Sequence, residues 1–149
     1  MFTITELNDY LKGEDADFEL IKQAAPILSM QDAEKYFDTD LAAPALIVQT
    51  EKGLMLLIAS GMRGRLDLKK LGTDLGLSKL KLADKKMIEK STGYRVGAIP
   101  LIGIELPCIF DERLLESEFI YGGSGDALFT LKIASKDVKR INNVMFCFN

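Results

Sequence analysis

The sequence predicts a mixed α/β fold, a mixed β-sheet or partly closed barrel with helices packed around it. Three observations lead there. Short apolar, partly β-branched runs recur along the chain, and two pairs of them lie close enough to form hairpins. The helical stretches are short and fall between the strands irregularly, not in the strict alternation of a doubly wound parallel sheet. A chain of 149 residues makes one domain, 1–149, long enough for a core that needs neither disulfides nor metals.

Taken in order, Thr3 and Glu6 have the spacing of a capping box for a first helix carrying Leu7, Tyr10 and Leu11, with Gly13 as its stop. A strand is expected from Phe18 to Ala24, ending before Pro26, and a second helix from Met30 to Phe37, opened by Ser29. Ala45 to Gln49 and Leu54 to Ser60 read as a buried hairpin around Thr50, Glu51, Lys52 and Gly53. Leu66, Leu68, Leu71 and Leu75 then fall near one side of a short helix, leaving Arg63, Arg65, Lys69 and Lys70 to solvent or to phosphate. An extended piece, Leu80 to Ala83, leads to a helix capped by Asp84 and ended by Gly93. LPCIFD is a strand entered through Pro107, and Asp111 begins a helical turn at ERLL. Glu118 to Tyr121 and Leu128 to Ile133 pair across a glycine-rich turn. A last helix, Lys136 to Ile141, is capped by Ser135, and Val144 to Phe148 forms an edge strand.

Composition excludes more than it suggests. With no histidine in the chain, Ser-His-Asp and Cys-His triads and every histidine-ligated metal site are ruled out. Cys108 and Cys147 both sit in apolar surroundings and read as buried free thiols. No metal and no cofactor is called for. The longest apolar run, Leu54 to Ala59, is far too short to cross a bilayer, and the acidic first twenty positions do not suit a signal peptide, so the expected location is cytoplasmic. Charge is uneven. Residues 1–61 hold 4 basic and 11 acidic side chains, 62–95 hold 10 and 4, and 96–149 hold 5 and 7, giving −7, +6 and −2. The central segment is either a solvated pair of helices or a positive face for phosphates.

The stretch from Thr92 to Gly103, TGYRVGAIPLIG, has almost no side-chain bulk at Gly97 and Ala98 and a fixed backbone at Pro100. It suits either a tight turn or the wall of a small-molecule pocket. GGSGD, from Gly122 to Asp126, lacks the GxxxxGK[ST] pattern and precedes a strand, so a hairpin turn fits it better than a nucleotide phosphate loop.

RLDLKKL, LADKKMIEKSTGYRVGAIPLIG, LPCIFDERLL and FIYGGSGDALFTLKIASKDV, in that order and spacing, resemble the YbaK/EbsC family, the prolyl-tRNA synthetase associated or INS-like aminoacyl-tRNA editing domains. The resemblance spans 42–141, with 1–41 as a helical and strand portion ahead of it. It implies a highly curved mixed sheet approaching a barrel, and hydrolysis in trans of the ester of a mischarged tRNA, such as cysteine or alanine on the tRNA for proline. It implies mischarged tRNA as partner, and possible contact with a synthetase. The implied substrate pocket comprises Thr92, Gly93, Tyr94, Gly97, Ala98, Ile99, Pro100, Asp111, Gly122, Gly123, Ser124 and Gly125. Arg63, Arg65, Lys69, Lys70, Lys85, Lys86 and Arg95 would meet phosphates. For Asp111 the residues themselves leave helix capping open beside chemistry.

Two departures from the family pattern stand out. Where active members carry a lysine at the start of the first core strand, this chain has Pro44, and where they have a small residue followed by proline it has Pro100 followed by Leu101. The resemblance implies hydrolysis that leans on the substrate's own ribose hydroxyl and on backbone groups, so loss of that ammonium would weaken it but need not remove it. Lys52, Lys69 and Lys132 are the candidates to replace that ammonium. The alternative is a catalytically degenerate module of the same fold that binds nucleotide, tRNA or a protein.

Overall fold

The computed structural model describes residues 1–149. The chain runs α1 (Ile4–Gly13), β1 (Phe18–Lys22), α2 (Met30–Ala33), β2 (Ala45–Thr50), β3 (Gly53–Ile58), α3 (Leu68–Leu75), β4 (Lys81–Leu82), α4 (Lys85–Thr92), β5 (Cys108–Asp111), β6 (Phe119–Gly123), β7 (Phe129–Ala134), α5 (Ser135–Ile141) and β8 (Val144–Phe148). Short 3-10 turns stand at Thr39–Leu41, Gly61–Arg63 and Glu112–Glu116.

The strands form two sheets, β1-β7-β6 and β4-β2-β3-β5-β8. The first is antiparallel throughout, whereas β5 joins β3 and β8 in parallel. Both expected hairpin pairings are present, β2 with β3 and β6 with β7. The sheets meet at a bridge between Ala42 and Tyr121, where the Ala43 amide donates to the Tyr121 carbonyl at 2.7 Å. That junction turns one sheet toward the other, in the partly closed sense the sequence predicts.

Period-two side chains sort the core into two layers. Ile47, Leu56, Ile58, Cys108 and Phe110 face Ile120, Leu131 and Ile133 of the smaller sheet, with Leu7 and Leu11 of α1 in the same cluster. Their strand neighbours Val48, Met55, Leu57 and Ile109 point the other way, onto Leu71, Leu77 and Leu80 around α3. Burial on both faces explains why these strands read as continuous apolar runs.

Local signals mostly act as read. Thr3 and Glu6 close their box at 3.1 and 3.0 Å, Ser29 caps α2 and Asp67 caps α3. Two caps differ. Asp84 stands at the N-cap of α4 without a side-chain bond to it, and Ser135 is the first residue of α5, its hydroxyl donating to the Ser117 carbonyl at 2.6 Å. The second helix is also shorter than expected, one turn ending at Ala33, because Tyr36 and Phe37 leave helical geometry in a run of turns.

Of the two thiols, Cys108 is buried in the core as expected, but Cys147 on edge strand β8 is exposed. Burial pushes the Cys108 thiol up to about 12 and also raises Cys147. The expected outcome with a thiol-specific chromogenic reagent at neutral pH is one group labelled in the native chain and two in denaturant. Because both pKa values are raised, native labelling should accelerate as pH rises through the alkaline range. Two fast-reacting native thiols would contradict this packing.

Candidate functional site

A cavity of about 410 Å³ opens between the two sheets, a size common for small-molecule sites. Its floor is the start of the central hairpin, Ala43 to Ile47, and one wall is the loop from Val96 to Ile99 that follows α4. The opposite wall is the end of β6 and its turn, Gly122 to Ala127. A lip formed by Ile27, Leu28, Ser29, Met30, Ala33 and Phe37 covers it from the N-terminal side. Pro44 and Gly97 therefore border one cavity.

Two glycines make this shape possible, one by its backbone conformation and one by close approach. Gly97 has φ +92, and a Cβ there would come within 2.8 Å of the Leu28 carbonyl oxygen. Gly123 lies flat against the loop, where a Cβ would collide with the Ile99 carbonyl. The Leu101 amide donates to the Gly123 carbonyl at 3.0 Å, fixing the loop on β6. Leu101 itself points into the core and is fully buried, packed over Gly122, so the Pro100-Leu101 departure does not fill the cavity.

Of the expected pocket residues, Gly97, Ala98, Ile99, Gly122, Gly123, Ser124 and Gly125 line this cavity, while Thr92, Gly93, Tyr94, Pro100 and Asp111 do not. Each of the five has another place. Thr92 donates from its hydroxyl to the Ile88 carbonyl at 2.7 Å, and Gly93 ends α4 in the left-handed conformation. Tyr94 is buried beneath Gly125, and its hydroxyl accepts from the Phe2 amide at 2.9 Å. Pro100 is buried behind the wall. Asp111 is wholly buried, accepting from the Ser60 amide at 2.8 Å, from Arg63 and from the Arg113 amide at the start of the 3-10 turn. It is a cap and an ion-pair partner, as the capping alternative has it.

Arg63 follows Asp111 out of the expected set. Its guanidinium holds the carboxylate with two bonds and lies 5.0 Å from the Phe148 ring centroid, so it is not free to meet phosphate. Hydrogen bonding to Asp111 raises its pKa further. The other six cations, Arg65, Lys69, Lys70, Lys85, Lys86 and Arg95, are exposed and make no ion pair. They do not share a face: α3, with Lys69 and Lys70, packs on the outer layer of the larger sheet, whereas Ile88 of α4 packs on the inner one.

Chemically the lining is apolar with few charges. Lys85 and Asp126 are its only ionisable side chains apart from the Tyr121 phenol. Lys52 stands over Phe146, Lys132 stands over Phe119 and Tyr121, and Lys69 is on α3, so none of the three expected substitutes reaches the cavity. The serine and threonine hydroxyls are occupied: Ser124 donates to the Phe129 carbonyl at 2.7 Å, Thr130 to Gln23 at 3.0 Å, and Ser29 caps α2. The amides of Gly97, Ile99, Ser124 and Gly125 have no acceptor within the chain. The site can thus offer main-chain donors and shape, with no activated nucleophile.

Sequence reasoning did not include the lip or Lys85 in the pocket. The lip carried a signal, an apolar set at Ile27, Leu28, Met30, Ala33 and Phe37 too short to bury itself as one helix face.

The model of the aminoacyl-tRNA editing domain matches residues 24–141. A proline–tRNA ligase from Brachyspira hyodysenteriae (strain ATCC 49526 / WA1) is 33% identical over 107 residues, which are 67% of this chain and 18% of that protein's length. A solved structure described as a candidate trans-editing enzyme for prolyl tRNA synthetase superposes with a TM-score of 0.81 at 20% identity, covering 100% of this chain and 97% of the other. A second, of a hypothetical protein, gives 0.80 at 19%, covering 95% and 96%. These structures share the fold, and the family match extends over the whole cavity. The chain belongs to the aminoacyl-tRNA editing domain family.

Proposed function

We propose that this chain hydrolyses the ester of a mischarged aminoacyl-tRNA in trans, the aminoacyl end entering the cavity between Pro44 and Gly97. The observation that carries this reading is the pairing of an apolar cavity with unpartnered main-chain amides at Gly97, Ile99, Ser124 and Gly125. Amides without an acceptor are suited to hold an ester oxygen and a water molecule. In the reaction water adds to the acyl carbon, the bond to the ribose oxygen breaks, and that oxygen leaves with a proton. No side chain here can form an acyl intermediate, so the substrate's neighbouring ribose hydroxyl is the group best placed to orient the water.

Lys86 on α4 and Arg95 in the loop that follows it, both exposed, would meet the phosphates of the acceptor end. Arg65, Lys69 and Lys70 lie beyond it and would contact only a longer stretch of tRNA. Binding of this kind weakens steeply with salt, because each neutralised phosphate releases counterions.

Release of amino acid from a panel of mischarged tRNAs tests the proposal. Hydrolysis above the spontaneous rate for at least one pair is the expected result, and none for any pair would refute it. Pro44 favours a second reading, a binding module without turnover. Replacing it separates the two: hydrolysis confined to Pro44→Lys and absent from the native chain would establish the binding module.

A further inference from the structure

We infer that Lys85 is the catalytic cation of this cavity, its ammonium meeting the ester carbonyl oxygen as negative charge develops there; this rests on the editing reading above. The sequence of strands brings it to the right place. β4 runs antiparallel to β2, with Val48 opposite Leu82, and the Ala83 amide donates to the Ile47 carbonyl at 3.0 Å. Two residues past Ala83 the chain leaves the strand and Lys85 opens α4, while Pro44 directly precedes β2. Both residues border the cavity.

Charge and solvation single out the same side chain. Among the lining residues Lys85 is the one cation, and it has no carboxylate partner and no hydrogen bond within the chain. The lining around it is mostly aliphatic, which strengthens an ammonium's attraction for a nearby oxyanion relative to open water. Asp126, the one carboxylate of the lining, has an oxygen committed to the Leu128 amide at 2.9 Å. Lys90 is the natural control, also exposed on the same helix but outside the lining. In the step, water adds to the acyl carbon while electron density moves to the carbonyl oxygen facing Lys85. The tetrahedral species then collapses, expelling the ribose oxygen, which takes the proton that water gives up. Lys85 stays protonated throughout.

The experiment is single-turnover deacylation at saturating enzyme, using whichever mischarged tRNA the native chain hydrolyses fastest. Lys85→Ala should lower the rate constant by on the order of 10²-fold, while Lys90→Ala changes it by less than about twofold. Lys85→Arg should recover most of the loss, which a purely structural role would not predict. A native chain that hydrolyses tRNA and a Lys85→Ala variant that keeps pace with it would overturn the role of Lys85 and leave the editing reading intact. If the native chain hydrolyses none of the panel, the editing reading fails. The side chain is then judged on affinity for 3′-aminoacylamino-3′-deoxyadenosine, a stable analogue of the charged end. Weaker binding by Lys85→Ala alone retains it as the cavity's ligand-facing cation, and equal binding, or none by either chain, overturns it.

Discussion

Replacing Asp111 by alanine should destabilise the chain by about 3–5 kcal/mol, the scale for breaking a buried ion pair from one side. The carboxylate has no exposed surface and accepts from the Ser60 amide, from two nitrogens of Arg63 and from the Arg113 amide. Removing it leaves the Arg63 guanidinium, with only 16% of its side-chain surface exposed, facing an apolar interior. It also removes the cap of the 3-10 turn and the bond joining the end of β3 to the end of β5. Urea unfolding monitored by circular dichroism measures the loss. A change below about 1 kcal/mol would mean that the pair contributes as little as a surface salt bridge. Because Asp111 does not border the cavity, deacylation per folded molecule should be retained.

Gly123→Ala should have the second largest effect, about 2 kcal/mol or more of lost stability, the range for overpacking against atoms that cannot move aside. The new methyl group would run into the Ile99 carbonyl, with the Pro100 Cα 3.4 Å away, so the obstacle is backbone on the far side of a fixed loop. The bond from the Leu101 amide to Gly123 would have to lengthen, moving the cavity wall. Substrate affinity should fall along with stability. Gly13→Ala supplies the opposite sign: it lies in α1 with nothing within 4 Å and an ordinary φ, so alanine there should add up to about 1 kcal/mol. Equal effects at the two positions would show that the close approach at Gly123 costs nothing.

The differing success of sequence reasoning follows from the range of each interaction. Capping boxes, hairpins and buried strands are local or periodic, so Thr3 with Glu6, the β2–β3 hairpin and the strand at Cys108–Asp111 could be read directly. The glycine walls were legible only in part: the Gly97 loop read as either a tight turn or a pocket wall, and Gly123 entered the pocket through the family resemblance, although φ above zero at Gly97 and the close approach at Gly123 each demand that residue type. Roles that depend on a partner far along the chain were not. Arg63 reads as a free cation until Asp111, 48 residues later, is folded against it. Tyr94 reads as a pocket residue until its hydroxyl meets Phe2. Lys85 reads as one lysine among ten basic residues until the fold sets it in the lining of the cavity that Pro44 also borders.

The claim beneath all of these assignments is that the space between Pro44 and Gly97 is where the aminoacyl end goes. Filling it is the most direct measurement. Ala98 is half-buried on the cavity wall, and Ala98→Trp would occupy the space while leaving the Asp111 ion pair, which lies outside the cavity, unaltered. With the far-ultraviolet spectrum and unfolding midpoint retained, the expected result is that native deacylation of mischarged tRNA is lost in Ala98→Trp. Hydrolysis at the native rate by the filled variant would contradict the account.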